Sequence, residues 1–483
     1  MMWVRSFILH FSRAVVFAAV VIMITVVVDY LYVDDTDEFA RAMLHELYGE
    51  QENIDRLYVG SSHVFCDIDP FVLDEINGEN NFNLATGNQQ LIASYYLIRE
   101  AHKKHEIGHV YLDLYYVCTT AGMGNLHDYA ALPHSWIVLN QMKPSVNKLS
   151  YMLSLSDPAY YYLTFFPFTR YKEQLFQPDY VGEIVDKKRE QTWKNHDYYH
   201  IRKMEDREFV MENAGKGYMQ NFGVPETGGF YGRESALPLT ESPVTEESLA
   251  YLVKIVDYCR ENDIELTWIA CPVSDFQLAG NGTYDNFAGQ VSELAAQYDV
   301  PYYDFNLCKK EYLDLTDNQY WSDKGHLNSV GAEVFTEFLG KFLQAAEAGQ
   351  DTYADCFHNR YQEKMQAADQ AIFGLEIVAS DEYDKYLPEA EKESQGKYAL
   401  YKIHPVTNAE EGQVEIHVCR SEESEEESRG FGRKEYTPAE EINVLYDGND
   451  GYVILDAEEH GFLYIEAKLK DSAKIRNWVE IEY

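Results

Sequence analysis

Strand-like and helix-like runs alternate along most of this chain, and this alternation constrains the fold more than any other feature. Such alternation is typical of right-handed crossovers and of a parallel sheet with helices on both faces. We therefore expect an α/β domain whose functional residues lie at the carboxyl ends of the strands. The predicted strands are 56–60, 81–85, 109–116, 265–270 and 301–305, and the predicted helices are 70–76, 89–102, 245–262, 284–298 and 329–346.

Residues 120–243 interrupt the alternation within a domain predicted to span 53–346, so we interpret them as an inserted helical cap over the site. The insertion contains a run of aromatic residues at 160–168. Two roles are open for these aromatics, because they could line a groove for an acceptor or pack the cap against the core.

The apolar period changes near residue 371, where apolar residues begin to recur at every second position. Short runs of this kind, separated by turns, predict antiparallel strands. The segment 447–451, Asp-Gly-Asn-Asp-Gly, has the composition of a hairpin turn. We predict a β-sandwich-like accessory domain over residues 371–483.

An apolar run at the amino terminus is as long as the roughly 20 residues that cross a bilayer. Arg5 and Arg13 lie at its start, and acidic residues follow it from Asp29 onward. Because positive charge stays on the cytoplasmic side, we predict a single-pass anchor of the cell membrane over 7–33, with the chain after it extracellular. Residues 34–52 are predicted to form a helical stalk. A cleaved signal peptide is the alternative, but no small-x-small cleavage site follows the run.

The formal net charge of −41 excludes some partners, because an anionic surface repels nucleic-acid phosphates. The seven cysteines are scattered and show no Cys-x-x-Cys spacing. His196 and His200 lie four residues apart, but no third ligand or His-Glu-x-x-His pattern accompanies them. We expect no nucleic acid, no metal site and no cofactor.

Two segments far apart in the chain carry residues with catalytic chemistry. Residues 57–63, Leu-Tyr-Val-Gly-Ser-Ser-His, predict a strand that runs into a turn with two serines. Residues 321–328, Trp-Ser-Asp-Lys-Gly-His-Leu-Asn, place an aspartate three positions before a histidine. A serine nucleophile needs a base within hydrogen-bond reach, and that base needs a third group to orient it. Ser62, His326 and Asp323 could supply these three groups.

These residues resemble the sequence blocks of the SGNH/GDSL hydrolase superfamily. Gly60-Ser61-Ser62 matches the first block with Ser62 as nucleophile, and Asp323 and His326 match the final Asp-x-x-His. The resemblance implies a three-layer, flavodoxin-like α/β fold and a Ser62–His326–Asp323 triad.

The second block of the superfamily corresponds to residues 83–87, Asn-Leu-Ala-Thr-Gly. The resemblance assigns the backbone amides of Ser62 and Gly87 to an oxyanion hole. The third block, Gly-x-Asn-Asp, is not visible after the strand 109–116. A side chain among Asn88, Gln89 and Gln90 could replace its missing donor, and we assign Asn88 to the oxyanion hole.

Spacing alone leaves competing assignments within the serine turn. Ser61 is a rival nucleophile, and His63 is a rival base because it adjoins the turn. A plain turn and a plain helix start are the structural alternatives for the two segments.

The resemblance extends to a membrane-anchored branch of the superfamily, which includes the teichoic-acid D-alanylation and alginate acetylation proteins. It implies a membrane-tethered, extracytoplasmic serine O-acyl esterase or acyltransferase that acts on cell-wall or extracellular polysaccharide. The implied partners are an acylated glycan, the lipid bilayer around the anchor and, as a further candidate, a multi-pass membrane acyltransferase. The alternative is a non-catalytic surface or assembly protein with a vestigial triad and a β-domain that binds glycan or protein.

Overall fold

The structure is a computed structural model of the chain. It describes residues 2–35, 39–120, 129, 131–155, 158–190, 203–204, 207–208, 211–223, 243–279, 284–323, 325–350, 352–368, 372–387, 397–422, 437–470 and 476–482.

The amino terminus forms one long helix, α1 (Met2–Tyr32), followed by the shorter α2 (Phe39–Gly49). The segment Phe7–Tyr32 of α1 is long and apolar enough to cross a membrane, a criterion that a signal sequence also meets. Met43, Leu44 and Leu47 of α2 are buried in the main hydrophobic core. The segment predicted as a stalk therefore packs against the α/β domain and does not stand apart from it.

The first half of the α/β domain contains three strands with short helices between them. Its elements are β1 (Arg56–Gly60), α3 (Ser62–Asp67), α4 (Pro70–Asn77), β2 (Asn81–Ala85), α5 (Leu91–His102), β3 (His109–Asp113) and α6 (Tyr116–Thr119). The third strand ends three residues earlier than predicted, because Tyr116 begins α6. The serine turn is also more regular than predicted, because it continues directly into α3.

The insertion is helical in its first part and contains short hairpins in its second part. Its elements are α7 (Leu132–Gln141), α8 (Val146–Ser154), α9 (Tyr161–Phe165), α10 (Pro178–Glu190), β4 (Lys203–Met204), β5 (Arg207–Glu208), β6 (Met211–Gly215) and β7 (Tyr218–Asn221). The 3₁₀ helices are Pro158–Tyr160, Pro167–Tyr171 and Gln174–Phe176. The β6–β7 hairpin adjoins the sheet, where the Asn83 amide donates to the Lys216 carbonyl at 2.9 Å.

The second half of the domain restores the alternation of helix and strand. Its elements are α11 (Glu246–Glu261), β8 (Glu265–Ala270), α12 (Asp275–Ala279), α13 (Tyr284–Tyr298), β9 (Tyr302–Asp304), α14 (Ser329–Glu347), α15 (Tyr353–Cys356) and α16 (Tyr361–Ala367).

The five strands form one parallel sheet in the order β2-β1-β3-β8-β9. This order is the flavodoxin-like one, and it confirms the predicted α/β class. All residues of β2 and the last four of β1 are buried, as expected for strands covered on both faces. In the register Gly60 lies beside Ala85, and Ala270 lies beside Asp304. The carboxyl ends of the strands therefore meet at one edge of the sheet.

The carboxyl-terminal region is antiparallel, as predicted. Its elements are β10 (Ile372–Ala379), α17 (Tyr383–Tyr386), β11 (Tyr398–Thr407), β12 (Val414–Glu422), β13 (Thr437–Ile442), β14 (Leu445–Asp447), β15 (Asp450–Asp456), β16 (Phe462–Leu469) and β17 (Arg476–Glu482). They form two four-stranded sheets with the orders β10-β11-β15-β14 and β13-β12-β16-β17. One apolar cluster joins the sheets, with Leu375 and Ile403 from the first and Val418 and Ile465 from the second. The predicted hairpin turn links β14 to β15.

A close approach at the end of β1 requires glycine at position 60. A Cβ atom there would lie 2.6 Å from Asp113 Cβ and 2.7 Å from Val64 Cγ2. Both atoms belong to short side chains that are packed in the core, so neither can move away without disturbing the packing around it.

We expect Gly60→Ala to lower the free energy of unfolding by about 1–3 kcal/mol through overpacking. Gly289→Ala is the matched control, because no atom lies within 4 Å of a Cβ at that helical position. Denaturant unfolding followed by tryptophan fluorescence would measure both variants. Equal stability of the two variants would contradict the close approach.

Candidate active site

Ser62 occupies the first position of α3, immediately beyond the carboxyl end of β1. Its side-chain Oγ lies 2.7 Å from Nε2 of His326. The first amides of a helix have no acceptor within the helix, so the Ser62 backbone N–H is not committed to intrahelical bonding. Ser62 therefore carries both the hydroxyl and a backbone N–H that can donate a hydrogen bond to an anion.

Asp323 holds the other side of the His326 ring. Nδ1 of His326 lies 3.0 Å from each carboxylate oxygen of Asp323. The Asp323 carboxylate also accepts hydrogen bonds from the backbone amides of Gly325 at 2.7 Å and His326 at 2.9 Å. These bonds fix the carboxylate, and the carboxylate in turn fixes the orientation of the imidazole.

A buried carboxylate joins the serine helix to the histidine loop. Asp67, at the end of α3, accepts a hydrogen bond from the Leu327 amide at 3.0 Å. The Thr336 hydroxyl on α14 accepts from the Asp69 amide at 2.9 Å and so holds the same junction. Burial raises the pKa of Asp67 well above its usual range. The two segments of the site are therefore tied by contacts outside the triad.

The charges of Asp323 and His326 support each other. Burial alone would raise the pKa of Asp323, but His326 and the backbone amides outweigh it and hold that pKa well below its usual range. Burial alone would lower the pKa of His326, but the Asp323 carboxylate raises it above its ordinary value of 6.5. The pair is thus arranged to stabilise an imidazolium, which is the state that forms when a histidine takes a proton from serine.

The rival residues Ser61 and His63 form a separate pair. The Ser61 hydroxyl lies 3.0 Å from Nδ1 of His63, and both side chains are buried. The His63 ring stacks on the His326 ring with centroids 4.9 Å apart, and it contacts Tyr115 at 4.1 Å. Burial, followed by the proximity of His326, lowers the pKa of His63 well below 6.5. His63 is therefore a neutral ring that packs beside the candidate base, and Ser61 does not contact that base.

The turn after β2 carries the residues predicted for the oxyanion hole. Gly87 and Asn88 are half-buried there, and Asn88 has a left-handed backbone with φ 51°. Because Gly60 pairs with Ala85, this turn starts at the same level of the sheet as the serine turn. The structure places these residues beside the serine turn, and their role as donors stays a prediction.

The two glutamines after Asn88 differ in their bonding. The Gln89 amide donates to Leu84 at 3.2 Å and to Ser94 at 3.1 Å, so it is committed to holding the turn. Gln90 is 1% exposed, and neither polar atom of its side chain has a hydrogen-bond partner within the described part of the chain. A buried amide without partners is costly. Sequence reasoning named Gln90 only as one of three options. Both glutamines are buried, and the lack of a side-chain partner within the described residues is what separates Gln90 from Gln89.

The end of β3 is the place in the chain where the Gly-x-Asn-Asp block is not visible. Asp113 is buried there and accepts a hydrogen bond from the Cys271 amide at 3.0 Å. Burial raises the pKa of Asp113 to about 6, while contacts with Cys271 and Ser61 act in the opposite direction. Tyr115 follows and accepts a hydrogen bond from Gln277 at 2.7 Å. Sequence reasoning missed Asp113, because the strand was predicted to continue to residue 116 and Asp113 lay within it.

The insertion borders both catalytic segments. His134 on α7 lies against the backbone of Gly87, which offsets part of the lowering of its pKa by burial. At the other end of the insertion, the Gly223 carbonyl accepts from the Asn328 side chain at 3.2 Å. These contacts put parts of the insertion beside the site, and its role as a cap stays a prediction.

No group of three or more potential metal ligands occurs among the residues that the structure describes. The pair His196 and His200 lies outside the described residues.

No family model matches the chain, and no curated protein matches it. Among solved structures, the chain is similar to a GDSL-like lipase from Bacteroides thetaiotaomicron, with 9% identity, a TM-score of 0.28, and 64% of this chain and 100% of that chain covered. It is also similar to a proposed acylhydrolase from Bacteroides fragilis, with 9% identity, a TM-score of 0.28, and 62% of this chain and 89% of that chain covered.

We expect Asp323→Asn to lower the pKa of His326, because the substitution removes the carboxylate that raises it. An NMR titration of ¹³C-labelled histidines would measure the change, with His326→Gln identifying the signal. Asp314→Asn, at an exposed carboxylate that bonds Thr316, is the matched control and should leave the His326 pKa unchanged. An unchanged His326 pKa in Asp323→Asn would contradict the ion pair.

Proposed function

We propose that this chain is a serine O-acyl esterase or O-acyltransferase that uses Ser62 as nucleophile, His326 as base and Asp323 as the orienting carboxylate. The observation that carries the proposal is the continuous set of contacts from Ser62 Oγ to His326 Nε2 at 2.7 Å and from His326 Nδ1 to Asp323 at 3.0 Å. A plain turn and a plain helix start do not require this alignment.

The chemistry follows from these contacts. His326 Nε2 takes the hydroxyl proton while Ser62 Oγ attacks the carbonyl carbon of an ester, and a tetrahedral oxyanion forms. His326 then gives the proton to the leaving alkoxide, which leaves an acyl group on Ser62. A second hydroxyl, from water or from an acceptor alcohol, repeats the sequence and releases the acyl group. Asp323 stabilises the imidazolium in both halves of the reaction.

The oxyanion needs donors that are already in place when the charge forms. The backbone amides of Ser62 and Gly87 are the first two donors in this proposal. Asn88 is the side-chain donor assigned from the sequence, and the unpartnered, buried amide of Gln90 is the alternative that the structure adds. Each donor of this kind contributes roughly 10²–10³ in rate.

The proposed setting is the outer face of the cell membrane. Support comes from α1, which is long enough to span a bilayer, from Arg5 and Arg13 near its start, and from the acidic residues that begin at Asp29 near its end. The proposed substrate is an O-acylated cell-wall or extracellular polysaccharide, and a multi-pass membrane acyltransferase is a candidate partner. The carboxyl-terminal β-sandwich would then bind the glycan or a protein partner.

We expect a fluorophosphonate probe to form an adduct on Ser62 of the full-length protein, because its hydroxyl lies 2.7 Å from the imidazole Nε2 of the candidate base. Mass spectrometry of tryptic peptides would locate the adduct. Ser62→Ala and His326→Ala should each reduce labelling at least about 10³-fold. Ser61→Ala is the matched control, and it should still be labelled at position 62. An adduct on Ser61, or none on a folded protein, would overturn the assignment.

Hydrolysis and transfer differ in the acceptor. We expect Ser62-dependent turnover of an aryl acetate, with a rate that rises with pH through a pKa above 6.5, because only neutral His326 acts as the base. Adding an oligosaccharide acceptor distinguishes the two activities by the product. An acylated oligosaccharide indicates a transferase, and free acetate alone indicates an esterase. Turnover that falls as the pH rises through this range would contradict the role of His326.

A further inference from the structure

One helix of the insertion exposes an apolar face. Val146, Leu149 and Leu153 of α8 lie at i, i+3 and i+7, and they are 80%, 48% and 50% exposed. The opposite face of α8 buries Asn147 and Tyr151 in the domain. The usual pattern of a surface helix is therefore reversed, since its apolar stripe faces outward. Exposed apolar patches of this kind mark interaction surfaces.

Three exposed aromatic side chains follow α8 in the chain. The additional exposed side chains are Tyr162, Phe166 and Phe176. Two of them belong to the aromatic run at 160–168. These two do not pack the insertion against the core, which was one of the two roles open for the run.

The insertion is attached to the carboxyl-terminal end of α1. The Phe168 amide donates to Asp29 at 2.9 Å, and the Tyr180 hydroxyl donates to the Tyr32 carbonyl at 3.1 Å. The 26 residues of Phe7–Tyr32 measure about 39 Å as a helix, which exceeds the roughly 30 Å hydrocarbon core of a bilayer. The outer end of α1 therefore reaches the headgroup region, and it carries the insertion with it.

A cavity of about 720 Å³ lies between α1 and the insertion. This volume falls in the range of roughly 300–1,000 Å³ that is usual for ligand sites. The apolar side chains of its wall include Val21, Ile22 and Val26 from α1 and Leu149, Met152 and Phe166 from the insertion. The cavity thus continues the lipid-facing surface of α1 into the protein.

Charged groups line the same cavity. The basic residues are Lys148, Arg170 and Lys188, and the acidic ones are Asp29 and Asp35. Lys188 is paired with Asp35 at 3.2 Å, and the Arg170 guanidinium lies 4.7 Å from the centre of the Trp136 ring. Three cations and two carboxylates thus line one cavity, in a chain whose net charge is −41. An apolar wall beside ammonium and guanidinium groups matches a ligand that joins an acyl chain to a phosphate.

Lys148 is the cavity cation whose charged form is disfavoured by burial. Its Nζ donates to the Met142 carbonyl at 2.9 Å. Burial lowers its pKa to about 8, although Asp29 and Glu100 act in the opposite direction. A phosphate oxygen in the cavity would compensate for this desolvation of the ammonium group.

We propose that this cavity binds one phospholipid of the outer leaflet, with an acyl chain along α1 and α8 and the phosphate at Lys148 and Arg170. The exposed face of α8 and the aromatic side chains beside it enter the same leaflet. This inference rests on the proposed membrane anchor, and it is independent of the chemistry at Ser62. It makes the insertion a membrane-facing platform that sets the height of the α/β domain above the bilayer.

Trp136 lines the cavity and can report on the acyl chain. We expect full-length protein in nanodiscs of phosphatidylglycerol and phosphatidylcholine to lose more tryptophan fluorescence when the acyl chains are brominated. The Trp136→Phe variant should lose less than the wild type, because the quenched residue is absent. Equal fractional losses in the two proteins would overturn the proposal.

Lys148→Gln tests the phosphate contact. We expect native mass spectrometry of the detergent-extracted protein to show one retained phosphatidylglycerol per chain, and Lys148→Gln to weaken retention about tenfold. Lys341→Gln, at an exposed lysine paired with Glu337, is the matched control and should retain the lipid. Unchanged retention in Lys148→Gln, or a dimer without lipid, would overturn the proposal. Fluorophosphonate labelling of Ser62 should be unchanged in both variants, which verifies their fold.

Alkaline carbonate extraction separates failure of this inference from failure of the anchor. A chain that is released from membranes, or whose mature form lacks α1, refutes the anchor and the lipid site together. A chain that stays in the membrane without lipid retention or quenching refutes the lipid site alone.

Discussion

The parallel sheet imposes the constraint on which the candidate site depends. β1 lies between β2 and β3, so the turn after β1 has a neighbouring strand end on each side. The serine turn is therefore flanked by the Gly87 turn and by Asp113. Glycine at position 60 allows Asp113 to approach this closely. Asp323 and His326 lie in a loop (residues 321–328) that is not positioned by a strand end of the sheet. The hydrogen bond from the Leu327 amide to Asp67 holds this loop beside the serine helix α3.

The electrostatics of the site follow from burial. Asp323 is the one carboxylate of the site whose pKa is held below its usual range, because it has both an imidazole and two backbone donors. For Asp67 and Asp113, burial outweighs the hydrogen bonds that each carboxylate accepts, and it raises the pKa of each. A buried, neutral His63 packs against His326 and adds no competing charge. Negative charge is thus concentrated on the residue that faces His326, which is where an imidazolium needs it.

The insertion links the site to the amino-terminal helix. His134 lies at the Gly87 turn, and Phe168 bonds to Asp29 at the end of α1. One contiguous part of the chain therefore contacts both the proposed oxyanion turn and the proposed membrane anchor. With the proposed anchor and the proposed nucleophile, the packing of the insertion sets the distance between the membrane and Ser62, and a flexible stalk does not.

The sequence by itself determined the elements whose apolar pattern is set locally. β1, β2, β8 and α13 have the predicted bounds, because each is a short run with a clear period between polar or turn residues. It also singled out Ser62, Asp323 and His326 as candidates, because the Gly-Ser-Ser turn after a strand and the Asp-x-x-His segment before a helix resemble the superfamily blocks. Only the tertiary structure decided which serine meets His326, since Ser61 and Ser62 are adjacent and differ only in the direction that α3 gives them. The packing of α2, the burial of Gln90 and the outward face of α8 were likewise decided by tertiary contacts, because residues remote in sequence determine which faces are covered.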